Sequence, residues 1–202
     1  FCNWYIRYIW KYGCKMSGTL SIGNKEIFNH SDATDKVTYG SGIPADTVIQ
    51  VVSENFNVST YSSSSDPTNY TPTFLTKSIT PKATNSKFLV MVTSMTGGDD
   101  ASPRILLRRT VGSNTHDIAN SNSQDPVTMS SDARLGGVRH GTNFHLSYVD
   151  SPAVSAGTSI NYLIMLKSGD STLVRLGQSG FTTVSDGDFR ILSSMTIMEI
   201  AA

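Results

Sequence analysis

The chain is predicted to be all-β: a jelly-roll-like β-sandwich of about eight to ten antiparallel strands preceded by a short N-terminal arm. Three observations lead there. Short runs of β-branched and aromatic residues recur between segments rich in Ser, Thr, Asn and Gly, the spacing of an all-β domain. No segment carries a sustained 3.6-residue apolar stripe, a heptad array or a repeat of fixed period. The stretch Ile79 to Met95, ITPKATNSKFLVMVTSM, sets Phe88, Val90 and Val92 on one side of a pleat and Leu89, Met91 and Met95 on the other. A strand apolar on both sides needs cover on both, from two sheets of a sandwich or from a sheet and a neighbouring subunit. A closed barrel is the competing architecture.

Composition narrows the function classes. A chain of 202 residues fits one domain, or one domain with a tail. Its 16 basic residues balance 16 acidic ones, and only 16% of positions are charged. That argues against nucleic acid or an anionic membrane as a partner recruited by bulk electrostatics. No apolar run approaches the ~20 residues needed to span a bilayer, and no signal-peptide pattern opens the chain. A soluble product without membrane insertion is therefore expected. Cys2, Cys14, Trp4 and Trp10 all precede Met16, so the remainder uses no disulfide and no thiol ligand.

Taken in order, residues 1–15, FCNWYIRYIWKYGCK, are crowded with aromatic, Ile and basic residues and lack acids, Ser and Thr. Met16 opens a segment of ordinary composition. Residues 1–15 are read as non-native read-through or a disordered segment. The alternative is a basic amphipathic anchor with Tyr5, Tyr8 and Tyr12 at near-helical spacing, although its apolar residues do not keep to one face. Residues 16–41 read as an arm with strands at Thr19–Ile22 and Lys25–Phe28, followed by a polar run through His30, Asp32 and Asp35. Such a length is ordered only if it docks on something. Gly40, Ser41 and Gly42 form a hinge, and the sandwich domain spans 42–202.

Strands are predicted at Thr47–Ser53, Phe74–Ile79, Lys87–Met95 and Arg104–Thr110. Ser59 to Pro72, with its run of serines and Asp66-Pro67, is too polar for a core and too long for a tight turn, so an exposed excursion is expected. Val111 to Arg139 offers only weak strands, at His116–Ala119 and Val127–Ser130. Asn143–Val149 alternates well and stops at Asp150-Ser151-Pro152, because Pro cannot donate to a ladder. Ser159–Lys167, Ser171–Leu176 and Arg190–Ile200 complete the set. The first and last of these, with Lys87–Met95, are the expected sheet centres.

No combination of residues builds a convincing reactive site. His140 and His145, with Asp150 beyond, suggest a metal site or a base with an orienting acid, but at strand spacing the two histidines fall on opposite faces. Asp99-Asp100 after Gly97-Gly98 suggests calcium or a polar turn. Arg104, Arg108 and Arg109 suggest an anionic ligand, or, for Arg108, an acidic neighbour on the next strand. Gly97-Gly98 and Gly136-Gly137 lack the Lys-Ser/Thr and helix of a phosphate loop, and no Gly-x-Ser-x-Gly elbow occurs. Tyr61, Tyr70, His116 and Phe181 could stack on sugar rings or be scattered exposed rings. No carboxylate pair can be placed on one site. The expectation is no catalytic, cofactor or metal residue, no cofactor, and unassigned receptor-binding residues.

Four phrases nevertheless resemble a family of virion proteins of marine tailed phages, including those that infect cyanobacteria. They are Gly42-Ile43-Pro44-Ala45 running into Val48–Val52; Ser78–Pro81 followed by Ser86–Val92; Val149–Ala153 followed by the strand with Tyr162; and the ending Thr196–Ala201. The match runs from about Gly42 to the C-terminus and departs from the pattern over Val111–Arg139. The resemblance implies a non-enzymatic β-sandwich of a short tail fibre or receptor-binding appendage. It further implies a homotrimer, attached to other virion proteins through its arm, facing a host cell-surface glycan, and located in a particle assembled in the host cytoplasm. A capsid decoration protein and a free carbohydrate-binding module are the rival readings.

Overall fold

The computed structural model describes residues 4–6, 18–22, 25–31, 36–39, 43–57, 62–98, 103–118, 141–169, 171–179 and 190–202. In the N-terminal part, β1 (Trp4–Ile6), β2 (Gly18–Ile22), β3 (Lys25–Ser31) and β4 (Lys36–Tyr39) form a four-stranded sheet in that order. The two arm strands expected from sequence are β2 and β3. The structure adds β4, and β1 within 1–15, where Trp4 pairs with Ile22.

The remainder is a β-sandwich of antiparallel strands. Its smaller sheet contains β7 (Thr71–Ile79), β9 (Pro103–Val111), β10 (Asn114–Ile118) and β12 (Ile160–Ser168), in the order β10-β9-β12-β7. The larger contains β5 (Val48–Phe56), β6 (Ser62–Ser64), β8 (Lys87–Gly98), β11 (Gly141–Asp150), β13 (Val174–Leu176) and β14 (Ser193–Ile200). Its order is β5-β14-β8-β13-β6, with β11 also paired to β8.

Alternation decides which side chains enter the core. Phe88, Val90 and Val92 of β8 point inward with Phe144 and Leu146 of β11 and Met195 and Ile197 of β14. They meet Leu75 and Ile79 of β7, Ile105 and Leu107 of β9, and Ile160, Tyr162, Ile164 and Leu166 of β12. All of these are buried, and each large apolar side chain removed from water is worth about 1.5–3 kcal/mol. The Phe88 and Tyr162 rings approach to 6.4 Å between centroids, coupling the two sheets.

Three departures from the sequence expectation have local causes. The strand β8 continues to Gly98 because Gly97 lets residues 178–179 cross against it: a Cβ there would lie 2.4 Å from the Gln178 carbonyl oxygen. The strand β7 starts at Thr71, before the expected Phe74. Pro72 is tolerated because the ladder with β12 shifts register between Leu163 and Met165, and such irregularities are where a sheet accepts Pro. Third, Ser59 to Pro72 is not wholly an exposed excursion. Ser62–Ser64 forms β6 and pairs with β13, with Ser64 buried. Hydroxyl bonds take the place of apolar contacts here, since Ser62 Oγ accepts from the Phe74 N–H at 3.0 Å. Val127–Ser130 lies outside the described residues.

Strand directions divide the sandwich into two ends. At the root end lie the start of β5, the β7–β8 turn, the β9–β10 hairpin, the β11–β12 connection and the C-terminus. At the opposite, far end lie the end of β8, the starts of β9 and β13 and the end of β12.

Candidate functional site

Two buried carboxylates with converging donors lie at the root end. Alternation along β14 sends Met195 and Ile197 inward, and the same alternation sends Glu199 inward, where it is 0% exposed. The turn after Thr80-Pro81 curls around its carboxylate. The Lys82 N–H donates to both oxygens, at 2.8 and 2.9 Å, and the Ala83 N–H to Oε1 at 3.0 Å. The Ser86 hydroxyl donates to Oε1 at 2.8 Å. With its amide nitrogen turned inward, Gln50 donates to Oε2 and to the Thr80 carbonyl, each at 3.0 Å. A buried carboxylate is tolerable only when donors surround it in this way.

A second carboxylate works similarly. Asp150, at the end of β11 and 4% exposed, receives Arg109 Nη1 at 2.7 Å and the Tyr162 hydroxyl at 2.7 Å. Burial first, and then the negative charge of Asp150, hold the Tyr162 hydroxyl far above the ordinary phenol range. The segment after Asp150 packs on the Glu199-bound turn: the Asn85 N–H donates to the Val154 carbonyl at 2.8 Å and the Gly157 N–H to the Pro81 carbonyl at 2.9 Å. The residues ahead of β5 and just after β14 close the cluster, with the Asp46 N–H on the Ala201 carbonyl at 2.9 Å and the Ala201 N–H on the Thr47 carbonyl at 2.8 Å.

This geometry fixes backbone. Asp46, Asn85 and Ala153 all sit at positive φ, at 63°, 60° and 52°, a conformation that costs an L-residue about 1–2 kcal/mol. Hydrogen bonds at or beside each of them hold it there. Both carboxylates are buried and face donors of their own chain.

The residues proposed from sequence do not come together. His145 lies exposed on the outer face of β11, its Nδ1 3.3 Å from the Thr93 hydroxyl, whereas Asp150 points into the core; they form no base–acid pair. His140, Asp99, Asp100, Gly136, Gly137, Tyr61 and Phe181 lie outside the described residues. Arg108 and Arg109 diverge. Arg108 meets Asp117 across the β9–β10 ladder, with Nε to Oδ1 at 2.6 Å, so its acidic neighbour on the next strand accounts for it. Arg109 turns inward to Asp150, and Arg104 stands opposite Lys167 of β12. The exposed His116 pairs in register with Arg109, and the Tyr70 ring lies 4.8 Å from Lys167 Nζ. Glu199 was missed, although one charged residue in the inward phase of an apolar strand is a legible signal. Among the described residues, no group of three or more His, Cys, Asp or Glu could hold a metal ion. Nor, among them, is any helix long and apolar enough to cross a membrane.

No protein-family model matches the sequence, and no curated protein matches it. Among solved structures, the chain is similar to one described as the structure of infectious bursal disease virus Gx strain. The TM-score is 0.37 and the sequence identity 10%, over 96% of this chain and 45% of that one. The chain therefore spans less than half the length of that neighbour.

Proposed function

We propose that the chain is a non-enzymatic structural protein of a phage virion, a short tail fibre or receptor-binding appendage that works as a homotrimer. One observation carries the reading. The four phrases that resemble marine-phage virion proteins, scattered along the sequence, meet at the root end: Gln50 of the first and Ser86 of the second donate to Glu199 of the fourth, and Asp150 of the third stands in register with Phe88 of the second. Their polar groups lock the scaffold, as suits a module selected for shape. Residues 43–45 enter the sandwich at that same end, beside the Asp46–Ala201 pairing, so an arm attached there would leave the opposite end of the sandwich facing away from the particle. Attachment runs through residues 16–41 to other virion proteins, a host cell-surface glycan is the target, and the setting is a particle assembled in the host cytoplasm.

Deletion of residues 17–39 provides the test. The shortened chain should still fold but fail to enter particles in a complementation assay. Full incorporation of the armless chain would sink the attachment reading. Glycan binding by the armless chain without any particle association of the intact one would favour a free carbohydrate-binding module. A copy number matching the capsid lattice would favour a decoration protein.

A further inference from the structure

The chain contains two Asp-Pro bonds, Asp66-Pro67 and Asp125-Pro126, and the second lies outside the described residues. A peptide bond of this kind is open to attack by its own side chain. The carboxylate, a competent nucleophile, reaches its own main-chain carbonyl through a five-membered ring, and the proline nitrogen leaves readily once protonated. Asp66-Pro67 lies between β6 and β7, beside the end of β12. Asp66 Oδ1 accepts the Thr68 N–H at 2.7 Å and the Asn69 N–H at 2.9 Å, whereas Oδ2 accepts only the Asn69 side-chain amide, at 3.1 Å. These bonds, led by the Asn69 N–H, hold the Asp66 carboxyl below its ordinary range. The Asp66 main-chain carbonyl accepts the Ser168 N–H of β12 at 3.0 Å. Pro67 is exposed, and the Lys167 ammonium is near enough to act on Asp66 through its charge.

We propose that Asp66-Pro67 is a built-in scission site, cut in acid by the Asp66 carboxylate itself. Oδ2, the less engaged oxygen, adds to the Asp66 carbonyl carbon. The C–N bond to Pro67 breaks as hydronium delivers a proton to the proline nitrogen, and the cyclic anhydride left on Asp66 takes up one water to give two carboxyl groups. The net reaction is hydrolysis and needs no reactant besides water and acid. Three features of the fold favour it at this bond. The nucleophile stays ionised into the acid range where protons for the leaving nitrogen are plentiful. The Ser168 N–H faces the carbonyl oxygen on which negative charge develops, the arrangement that stabilises such a transition state. Lys167 then stands near the newly formed C-terminal carboxylate. Scission does not take the sandwich apart, because residues 1–66 keep β5 on β14 and β6 on β13, with Gln50 still donating to Glu199. It turns the covalent link between the arm and β7 to β14 into one held by two ladders. The scission goes beyond the virion reading and does not depend on it.

Asp125-Pro126 provides the internal reference for the test. The full chain is incubated at the lowest pH at which its far-UV circular dichroism is still that of the folded protein, and in parallel at the same pH in guanidinium chloride, and the pieces are identified by mass on denatured samples. In the folded chain, scission between 66 and 67 should outpace scission between 125 and 126 about tenfold. In guanidinium the two bonds should be cut at similar rates. Asp66→Asn should abolish the first cut and leave the second, and Asp66→Glu, whose longer side chain must close a larger ring, should slow the first alone. Returned to neutral pH, the nicked chain should elute from a sizing column with the intact one and separate into 1–66 and 67–202 only in denaturant. An equal ratio of the two cuts in folded and unfolded chains, or no cut at Asp66 while the chain is folded, would overturn the site. Separation of the pieces without denaturant would overturn the link through two ladders.

Discussion

Replacing Glu199 probes the root-end lock directly. Glu199→Ala strands the Lys82 and Ala83 N–H groups, the Ser86 hydroxyl and the Gln50 amide, which converge on the carboxylate at 2.8–3.0 Å. Each stranded buried donor costs about 1–3 kcal/mol. Water can reach the two loop N–H groups, which are only part-buried, and this holds the total to about 3–5 kcal/mol, a third or more of a typical domain's stability. Glu199→Gln keeps the volume and one acceptor but turns an NH₂ toward donors, so about 1–3 kcal/mol should be lost.

Urea unfolding followed by far-UV circular dichroism, at one fixed protein concentration because any association would add to apparent stability, measures both losses. The slope with denaturant should stay constant while the midpoint falls. Tryptophan fluorescence is the wrong probe, because Trp4 and Trp10 both precede the sandwich. Amide hydrogen exchange gives the local readout: protection at Lys82 and Ala83 should drop before the β8 and β12 ladders are affected. A Glu199→Ala loss below about 1 kcal/mol, with exchange at 82 and 83 unchanged, would refute the lock.

Three further outcomes follow from the geometry. Gly97→Ala forces a Cβ against backbone at 2.4 Å and should destabilise at or above the top of the usual range of about 1–3 kcal/mol, whereas Gly141→Ala meets the flexible end of Met95 at 2.6 Å and should lose no more than about 1 kcal/mol; thermal melts of the pair would show the contrast. The folded state holds the Tyr162 hydroxyl neutral, so its contribution is complete below about pH 10 and is lost as pH rises further, by up to about 1.4 kcal/mol per pH unit; Tyr162→Phe should flatten that part of a stability–pH curve relative to wild type. Asp117→Ala removes a partly exposed ion pair and should change stability by no more than about 1 kcal/mol in double-mutant cycles with Arg108→Ala.

The fold was legible wherever apolar alternation decided it. The strands β8, β12 and β14 are apolar in both phases, so their existence followed from period alone, while the choice of Phe88, Tyr162 and Ile197 as inward-facing is set by the packing of the two sheets. What stayed illegible depends on partners distant in sequence. The strand β6 contains only serine, and its pairing follows from the open edge of β13. The end of β8 is set by residues 178–179 passing over Gly97. Asp150 looked like a companion for histidines because they are near in sequence, but its partners are Arg109 and Tyr162 on the other sheet. Glu199 obeyed the alternation perfectly well, yet its role depends on a turn over a hundred residues away.

These same long-range partners tie short, separate phrases of the sequence to one another. Glu199 in the closing phrase needs the N–H groups that follow Thr80-Pro81, and Asp150 needs the hydroxyl of Tyr162. Ile43-Pro44-Ala45 enters where Asp46 and Thr47 pair with Ala201. Changing one member strands a buried polar group in another, at a cost comparable to the loss of an entire core side chain. The far end of the sandwich, where β8 ends and β9 and β13 start, supplies none of the described bonds that close on Glu199, so substitutions among the described residues there leave that lock coupled.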